Sequence, residues 1–330
     1  MIVIISRIKN SADIIESWVR GNSLAADKFV VIDNNSVDGT VEILENLKAE
    51  GFDIELIKAE DPLVKQRDQM NWLIDYVQRN WSPDIILPFD DDEILASEIV
   101  PDIKNYLLSL PQDKIYKVRW RVYTMVGNEP ADPCVIRRIN HCFIHNEYEF
   151  PTVILTKKVI EYGGYLITQG NHGLRREDGK KNLFEVEFLN NLYLAHYPLR
   201  SEAQVVSKFL VGWSNYLTIP LKEEMMQNSY WCKIYNNIKM RKVLSARDIL
   251  LISGLYRQEH GDGTEYLDQI ANQRIALPPQ CFDIKYYKPV DPWYNYMCNT
   301  EIIAKKLAEV NRKAGMEEFM YDFNTGDNKM

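Results

Sequence analysis

Three adjacent carboxylates, Asp90-Asp91-Asp92, close the apolar run Ile85-Ile86-Leu87-Pro88-Phe89, and an apolar pair leading into a helix-like segment resumes just after them. Carboxylates that close repel one another, so they stay solvated, take up a proton, or hold a cation that inverts the local field. Hard divalent ions such as Mg2+ and Mn2+ favour carboxylate oxygens and are commonly shared with substrate phosphates. The same triplet also suits a solvated turn or a helix start, where Asp caps exposed N–H groups.

A second polar cluster, Asp33-Asn34-Asn35-Ser36-Val37-Asp38-Gly39-Thr40, follows the apolar run Phe29–Ile32. Its acceptors and small hydroxyls suit a base or a ribose, and they equally suit an Asx-type turn with a helix cap.

The elements that must position these clusters alternate. Apolar runs at 2–5, 29–32, 54–57 and 85–89 read as strands. Segments at 13–20, 41–48 and 66–78 carry apolar residues at helical spacing. Strand–helix alternation implies right-handed crossovers and a mixed, mostly parallel sheet of α/β, Rossmann-like type. Ligands of such sheets bind outside the carboxyl ends of the strands, which gathers the loops at 6–10, 33–40 and 90–93 along one edge.

From 115 to 167 the texture changes to short β-like pieces at 115–123, 142–144 and 153–155, and Leu192 to Pro198 reads as a last strand. His141 and His145 are expected on a surface loop. Ser201-Glu-Ala-Gln204 opens a helix in the manner of a cap. Helices are expected at 201–217, 222–240, 245–257, 264–274 and 300–313. The boundary near 200 divides the chain into an α/β domain, 1–200, and a mainly helical domain, 201–330.

Hydrophobic residues make up 46% of the 330 and charged residues 26%, an ordinary globular balance. The formal net charge of -8 disfavours a nucleic-acid binder. Five cysteines with no CxxC pair suggest neither a disulfide framework nor a cysteine zinc site, so a reducing cytoplasm is expected. No apolar stretch approaches the ~18 residues of a membrane span, so membrane contact is expected to be peripheral at most.

Arg7-x-x-Asn10, Asp33-Asn-Asn-Ser-x-Asp-Gly-Thr40, Gln66 to Asn71, and Asp90-Asp-Asp92 occur in an order and spacing that resembles the family 2-like glycosyltransferases of the GT-A fold. The resemblance runs over roughly the first 200 residues. It implies a nucleoside-diphosphate-sugar donor and a Mn2+ or Mg2+ ion held against the pyrophosphate. It implies that Asp33 and Asn35 contact the base and ribose with Arg7 and Arg67 nearby. Asp90 would face ribose and metal, Asp91 would lie in the donor site, and Asp92 would be the principal metal ligand. Leu194-Ala-His-Tyr-Pro-Leu-Arg-Ser201 looks like a bacterial subgroup whose late histidine, here His196, completes the metal site, with His172 as the alternative imidazole.

The subgroup's Glu-Asp base has a literal match in Glu177-Asp178, but Arg175-Arg-Glu-Asp-Gly-Lys-Lys181 reads as a solvated loop, so Glu149 is the base candidate. The resemblance implies inverting transfer to an acceptor hydroxyl of a glycan or lipid-linked molecule. A nucleotidyl or phosphoryl transferase and a catalytically degenerate sugar- or nucleotide-binding module remain the alternatives. The interleaved aromatic and basic residues at 231–242 fit an anionic acceptor surface or, equally, the solvated face of an amphipathic helix.

Overall fold

A computed structural model describes residues 1–59, 61–63, 65–143, 151–218, 229–240, 244–255, 270–275 and 277–313. The chain starts with β1 (Ile2–Ile8), α1 (Ile15–Asn22), β2 (Lys28–Asp33), α2 (Thr40–Ala49), β3 (Ile54–Lys58), α3 (Gln66–Trp81) and β4 (Ile85–Pro88). The strands pair in parallel in the order β4-β1-β2-β3, with Ile4 beside both Phe29 and Leu87. Successive side chains take opposite faces. Ile2, Ile4, Phe29, Val31 and Leu87 join Trp18 of α1 and Ile43 and Leu47 of α2 in one core. Val3, Ile5, Val30 and Ile86 meet Met70, Leu73 and Val77 of α3 in the other. Both faces are covered, so the strands are continuous apolar runs.

The chain continues through β5 (Glu93–Ala96), α4 (Ile103–Ser109), β6 (Lys114–Thr124), α5 (Val135–Arg138), β7 (His141–Phe143), β8 (Thr152–Thr156) and α6 (Lys157–Tyr162). A small hairpin, β9 (Tyr165–Ile167) with β10 (Leu174–Arg176), precedes the long strand β11 (Glu185–His196). β8 lies antiparallel between β4 and β6, which makes the sheet mixed beyond its parallel first half. β11 runs parallel to β6 and antiparallel to β5. Two expectations are corrected here. The segment after the acid triplet is the strand β5, because β11 supplies its backbone partners, and His141 opens β7, paired with Thr124 of β6.

Beyond residue 200 come α7 (Glu202–Tyr216), α8 (Tyr230–Met240), α9 (Ala246–Leu255), β12 (Ile270–Asn272) and α10 (Pro292–Lys313). Ser201 caps α7 as expected, its Oγ accepting from the Gln204 amide at 3.1 Å. The helix expected at 264–274 is corrected where described: residues 270–272 form β12, because β7 supplies antiparallel backbone partners to them. Val205, Phe209, Ile234, Ile238, Ile249 and Ile252 belong to the same core as β1 and α1. A strap around residues 281–288 then returns across α1, where the buried Glu16 carboxylate accepts from the amides of Lys285 and Tyr286. Among the described residues, no helix is long and apolar enough to cross a membrane.

Candidate active site

The acid triplet sits on the turn between β4 and β5, closed by the Glu93 amide donating to the Asp90 carbonyl at 3.1 Å. Strand register brings in the late histidine. His196 pairs with Glu93 in the β5–β11 ladder, and the Tyr197 amide donates to the Asp92 carbonyl at 2.8 Å. His196 Nε2 therefore lies 3.4 Å from Asp92 Oδ1. The Trp120 ring from β6 backs the imidazole at a centroid separation of 4.2 Å.

The three aspartates have different surroundings. Asp90 Oδ1 accepts from Gln66 Nε2 at 2.7 Å and Asn171 Nδ2 at 3.1 Å. Asp91 accepts from the Ser11 hydroxyl. Asp92 faces cations: Lys208 Nζ at 3.2 Å from its Oδ2, and Arg200 at 3.7 Å. Burial and then the neighbouring carboxylates push Asp90 and Asp91 above the usual carboxylate range. Burial alone would raise Asp92 as well, but Lys208, His196 and Arg200 outweigh it and hold Asp92 well below that range. Burial lowers His196 against the pull of Asp92. Beneath the turn, Glu93 accepts from the Asp90 amide at 3.1 Å and from the Thr152 hydroxyl at 3.4 Å. Burial, Asp90 and Asp92 push this carboxyl far up.

The other two loops meet the same edge. Asn10, at φ 53°, takes the left-handed conformation that Asn tolerates. Its amide donates to Ser36 Oγ and its Oδ1 accepts from the Val37 amide, both at 2.9 Å, which ties the β1 loop to the β2 loop. Asp33 accepts from the Ser36 amide, and Asp38 accepts from the Ala12 amide and from Thr40. The Asx-turn reading of this loop is thus realised in its hydrogen bonds. Arg7 donates to Gln69 Oε1 at 2.7 Å; burial lowers its pKa, while Asp91, Asp90 and Asp33 act to raise it. Lys9 Nζ donates to the Asn34 carbonyl, and burial with the Arg7 charge brings it down to about 8.

The structure thus gathers Arg7, Asp33, Asp90, Asp91, Asp92 and His196. Arg67 pairs with its neighbour Asp68 at 2.8 Å. His172 lies against the Trp120 ring, with Nδ1 3.2 Å from the Pro151 carbonyl and Nε2 packed close to Gly170. Asn35, at φ 60°, lies in the β2 loop. Glu149 falls outside the described residues. Glu177 and Asp178 are exposed as expected, with Asp178 held by Arg176. Sequence reasoning assigned no role to Glu93, Lys208 or Arg200, whose guanidinium is locked on Asp13 by bonds of 2.7 and 2.9 Å. Arg200 stands inside one of the strings that carried the resemblance, and Glu93 directly follows another. Lys208 is one lysine on an amphipathic helix and has no such signal.

The donor set, hard carboxylates with an imidazole, fits a divalent ion in kind, and the crowding that raises Asp90 and Asp91 is what a divalent cation relieves. Among the described residues, however, no three His, Cys, Asp or Glu side chains are grouped as a closed metal-holding set.

A mixed α/β sheet with polar loops converging at its strand ends is of the kind that binds ligands outside the carboxyl ends of its strands. Residues 6–179, more than half of the chain, match the family model described as Glycosyl transferase family 2, and the chain belongs to that family. It is therefore a glycosyltransferase, of the class that draws on nucleotide-sugar donors. No curated protein sequence matches the chain. Among solved structures it is similar to S. aureus TarS 1-349 in complex with UDP, at 12% identity and TM-score 0.40, covering 99% of this chain and 95% of that one. It is also similar to the mannosyltransferase PcManGT from Pyrobaculum calidifontis in complex with GDP-Man and Mn2+, at 12% identity and TM-score 0.39, covering 92% and 86%.

Proposed function

We propose that this chain is a metal-dependent, inverting glycosyltransferase that moves a sugar from a nucleoside diphosphate to an acceptor hydroxyl in bacterial glycan or glycoconjugate synthesis. The observation that carries the reading is the convergence of Arg7, Asp33 and the Asp90–Asp92 turn at one sheet edge, with His196 brought beside Asp92 by strand register. Asp33 and Asn35 would receive base and ribose, with Arg7 and, once released from Asp68, Arg67 on the donor. Asp90 would orient the ribose, with Asp91 beside it in the donor pocket. Asp92, His196 and Asp90 would hold Mn2+ or Mg2+. When bound, that ion neutralises the charge that builds on the leaving diphosphate.

The acceptor hydroxyl needs a base within hydrogen-bond reach, and Glu149 is the candidate for it. The segment from 201 onward is proposed as a helical unit that shapes the acceptor side, for a glycan or a lipid-linked acceptor. A cytoplasmic location is proposed from five cysteines without a disulfide.

Thermal-shift titration of UDP, GDP, dTDP and CDP, with and without Mn2+, tests this on wild type and Asp92→Ala. A ligand at a hundred times its Kd stabilises the native state by about 2.7 kcal/mol. One diphosphate is expected to raise the melting temperature of the wild type only with metal, and the substitution to remove that metal dependence. No shift with any of the four in a folded protein would overturn the donor-site reading. Binding without turnover on a panel of nucleotide sugars and acceptors would instead identify a degenerate module.

A further inference from the structure

Asp92 carries two cations of different character. Arg200 has a side chain only 5% exposed and is fixed bidentately by Asp13, with a further bond from Nη1 to the Tyr197 carbonyl at 3.1 Å. Lys208 has a side chain 24% exposed, on a flexible stem from α7. Its Nζ donates at 3.2 Å to Asp92 Oδ2 and at 3.1 Å to the Pro198 carbonyl. The guanidinium is held on several sides and stays; the ammonium is a compact charge whose stem allows it to turn away. Asp92 Oδ2 is thus already occupied by a positive charge, and the remaining oxygen faces His196.

We infer that Lys208 is an exchangeable cation of the donor site: it neutralises Asp92 when the site is empty, and moves from Asp92 to the donor's diphosphate when a divalent ion takes the carboxylate. The inference rests on the donor-site reading above. A divalent ion on this carboxylate would be repelled by the ammonium 3.2 Å from its Oδ2, so the metal and Lys208 compete for Asp92. A bound diphosphate brings new negative charge beside that carboxylate. The displaced ammonium, still within reach through its long side chain, gains a charge-assisted hydrogen bond there. Lys208 is on this account both a brake on metal binding in the empty site and a contact to the leaving group in the loaded one.

The two halves have opposite signs, which a merely structural lysine would not produce. Mn2+ affinity without nucleotide, measured by electron paramagnetic resonance, is expected to rise about tenfold in Lys208→Met, because a like charge is removed from a partly screened site. Affinity for the responding diphosphate in saturating Mn2+, by calorimetry, is expected to fall about tenfold. Lys208→Arg, which keeps the charge, should stay near wild type in the metal-only titration. If thermal melts show that Lys208→Met does not fold, Lys208→Gln carries the same two measurements. Metal-only affinity that is unchanged or lower in the neutral variant overturns the inference, as does an unchanged diphosphate affinity. A wild type that binds Mn2+ but none of UDP, GDP, dTDP or CDP sinks the donor-site reading instead, separately from the Lys208 competition.

Discussion

Glu93 is 1% exposed, and its carboxyl joins the backbone of the acid turn to the hydroxyl of Thr152, which in turn accepts from Trp120 Nε1 at 3.0 Å. Truncation would leave the Asp90 amide and the Thr152 hydroxyl proton without the acceptor they share and open a cavity. Glu93→Ala is expected to cost about 2–3 kcal/mol in urea unfolding. Glu93→Gln keeps the volume and one acceptor, so its cost should stay under about 1 kcal/mol. Equal losses in the two variants would show that the turn does not depend on this acceptor. The contrast with its neighbours explains what the sequence could disclose. Asp90 to Asp92 are conspicuous because charge abruptly follows an apolar run. Glu93 continues the same string, but its role depends on a turn that points it back under Asp90. Arg200 likewise lies in a recognisable string, yet its partner Asp13 is distant in sequence and becomes visible only when β1 and β11 share one sheet.

At the scale of elements, close packing of helices and the return of the strap place the C-terminal half. Gly212 on α7 faces Trp231 on α8, and an added Cβ would lie 2.3 Å from Trp231 Cζ3. That ring also packs on Phe209 at 5.0 Å, so it has little room to withdraw. Gly212→Ala is expected to destabilise by about 1–3 kcal/mol despite alanine's better helix propensity, and a gain in the denaturation midpoint would refute the close approach. The strap is fastened by Glu50, which accepts from Tyr286, Arg20 and Lys285 at 2.7, 2.8 and 3.1 Å. The Tyr286 hydroxyl first, and then Arg20 and Lys285, bring its carboxyl down to about 2 from 4.5. A depressed carboxyl stabilises the fold fully above its unfolded pKa and loses that contribution as pH falls through the folded one. The wild type should therefore exceed Glu50→Gln by about 1 kcal/mol above pH ~5, after solvent screening, with the difference fading between pH ~4.5 and ~2. A gap that persists at pH 2 in parallel denaturant titrations would mean that the charge is not what holds the strap. None of this was legible in the sequence, because Glu50 ends one helix and Tyr286 lies in a stretch without periodicity. The strands and helices of the first half were legible, since buried parallel strands are plain apolar runs. The helical expectation fails at residues 270–272 because a three-residue edge strand is too short to show a period.

For the whole molecule, the sequence division at residue 200 marks a change in texture, from α/β alternation to helices. The core does not change there. Val205 and Phe209 of α7, Ile234 and Ile238 of α8, and Ile249 and Ile252 of α9 pack in one cluster with Ile4, Trp18 and Leu95. Buried Arg200 fastens the start of this region to Asp13, and β12 extends the sheet that begins in the first half. Removing the later segment would strip the part of this core that α1 and α2 do not cover and expose apolar area worth ~25 cal/mol per Å². Against a net stability of roughly 5–15 kcal/mol for a domain, that loss decides the outcome. A fragment of residues 1–200 is thus expected to lack a cooperative thermal transition and to bind a hydrophobic dye, while the full chain unfolds in one transition that circular dichroism and tryptophan fluorescence report at the same midpoint. A fragment that melts cooperatively and retains diphosphate binding would support the two-domain division, with the helices as an independent module set against a self-sufficient donor domain.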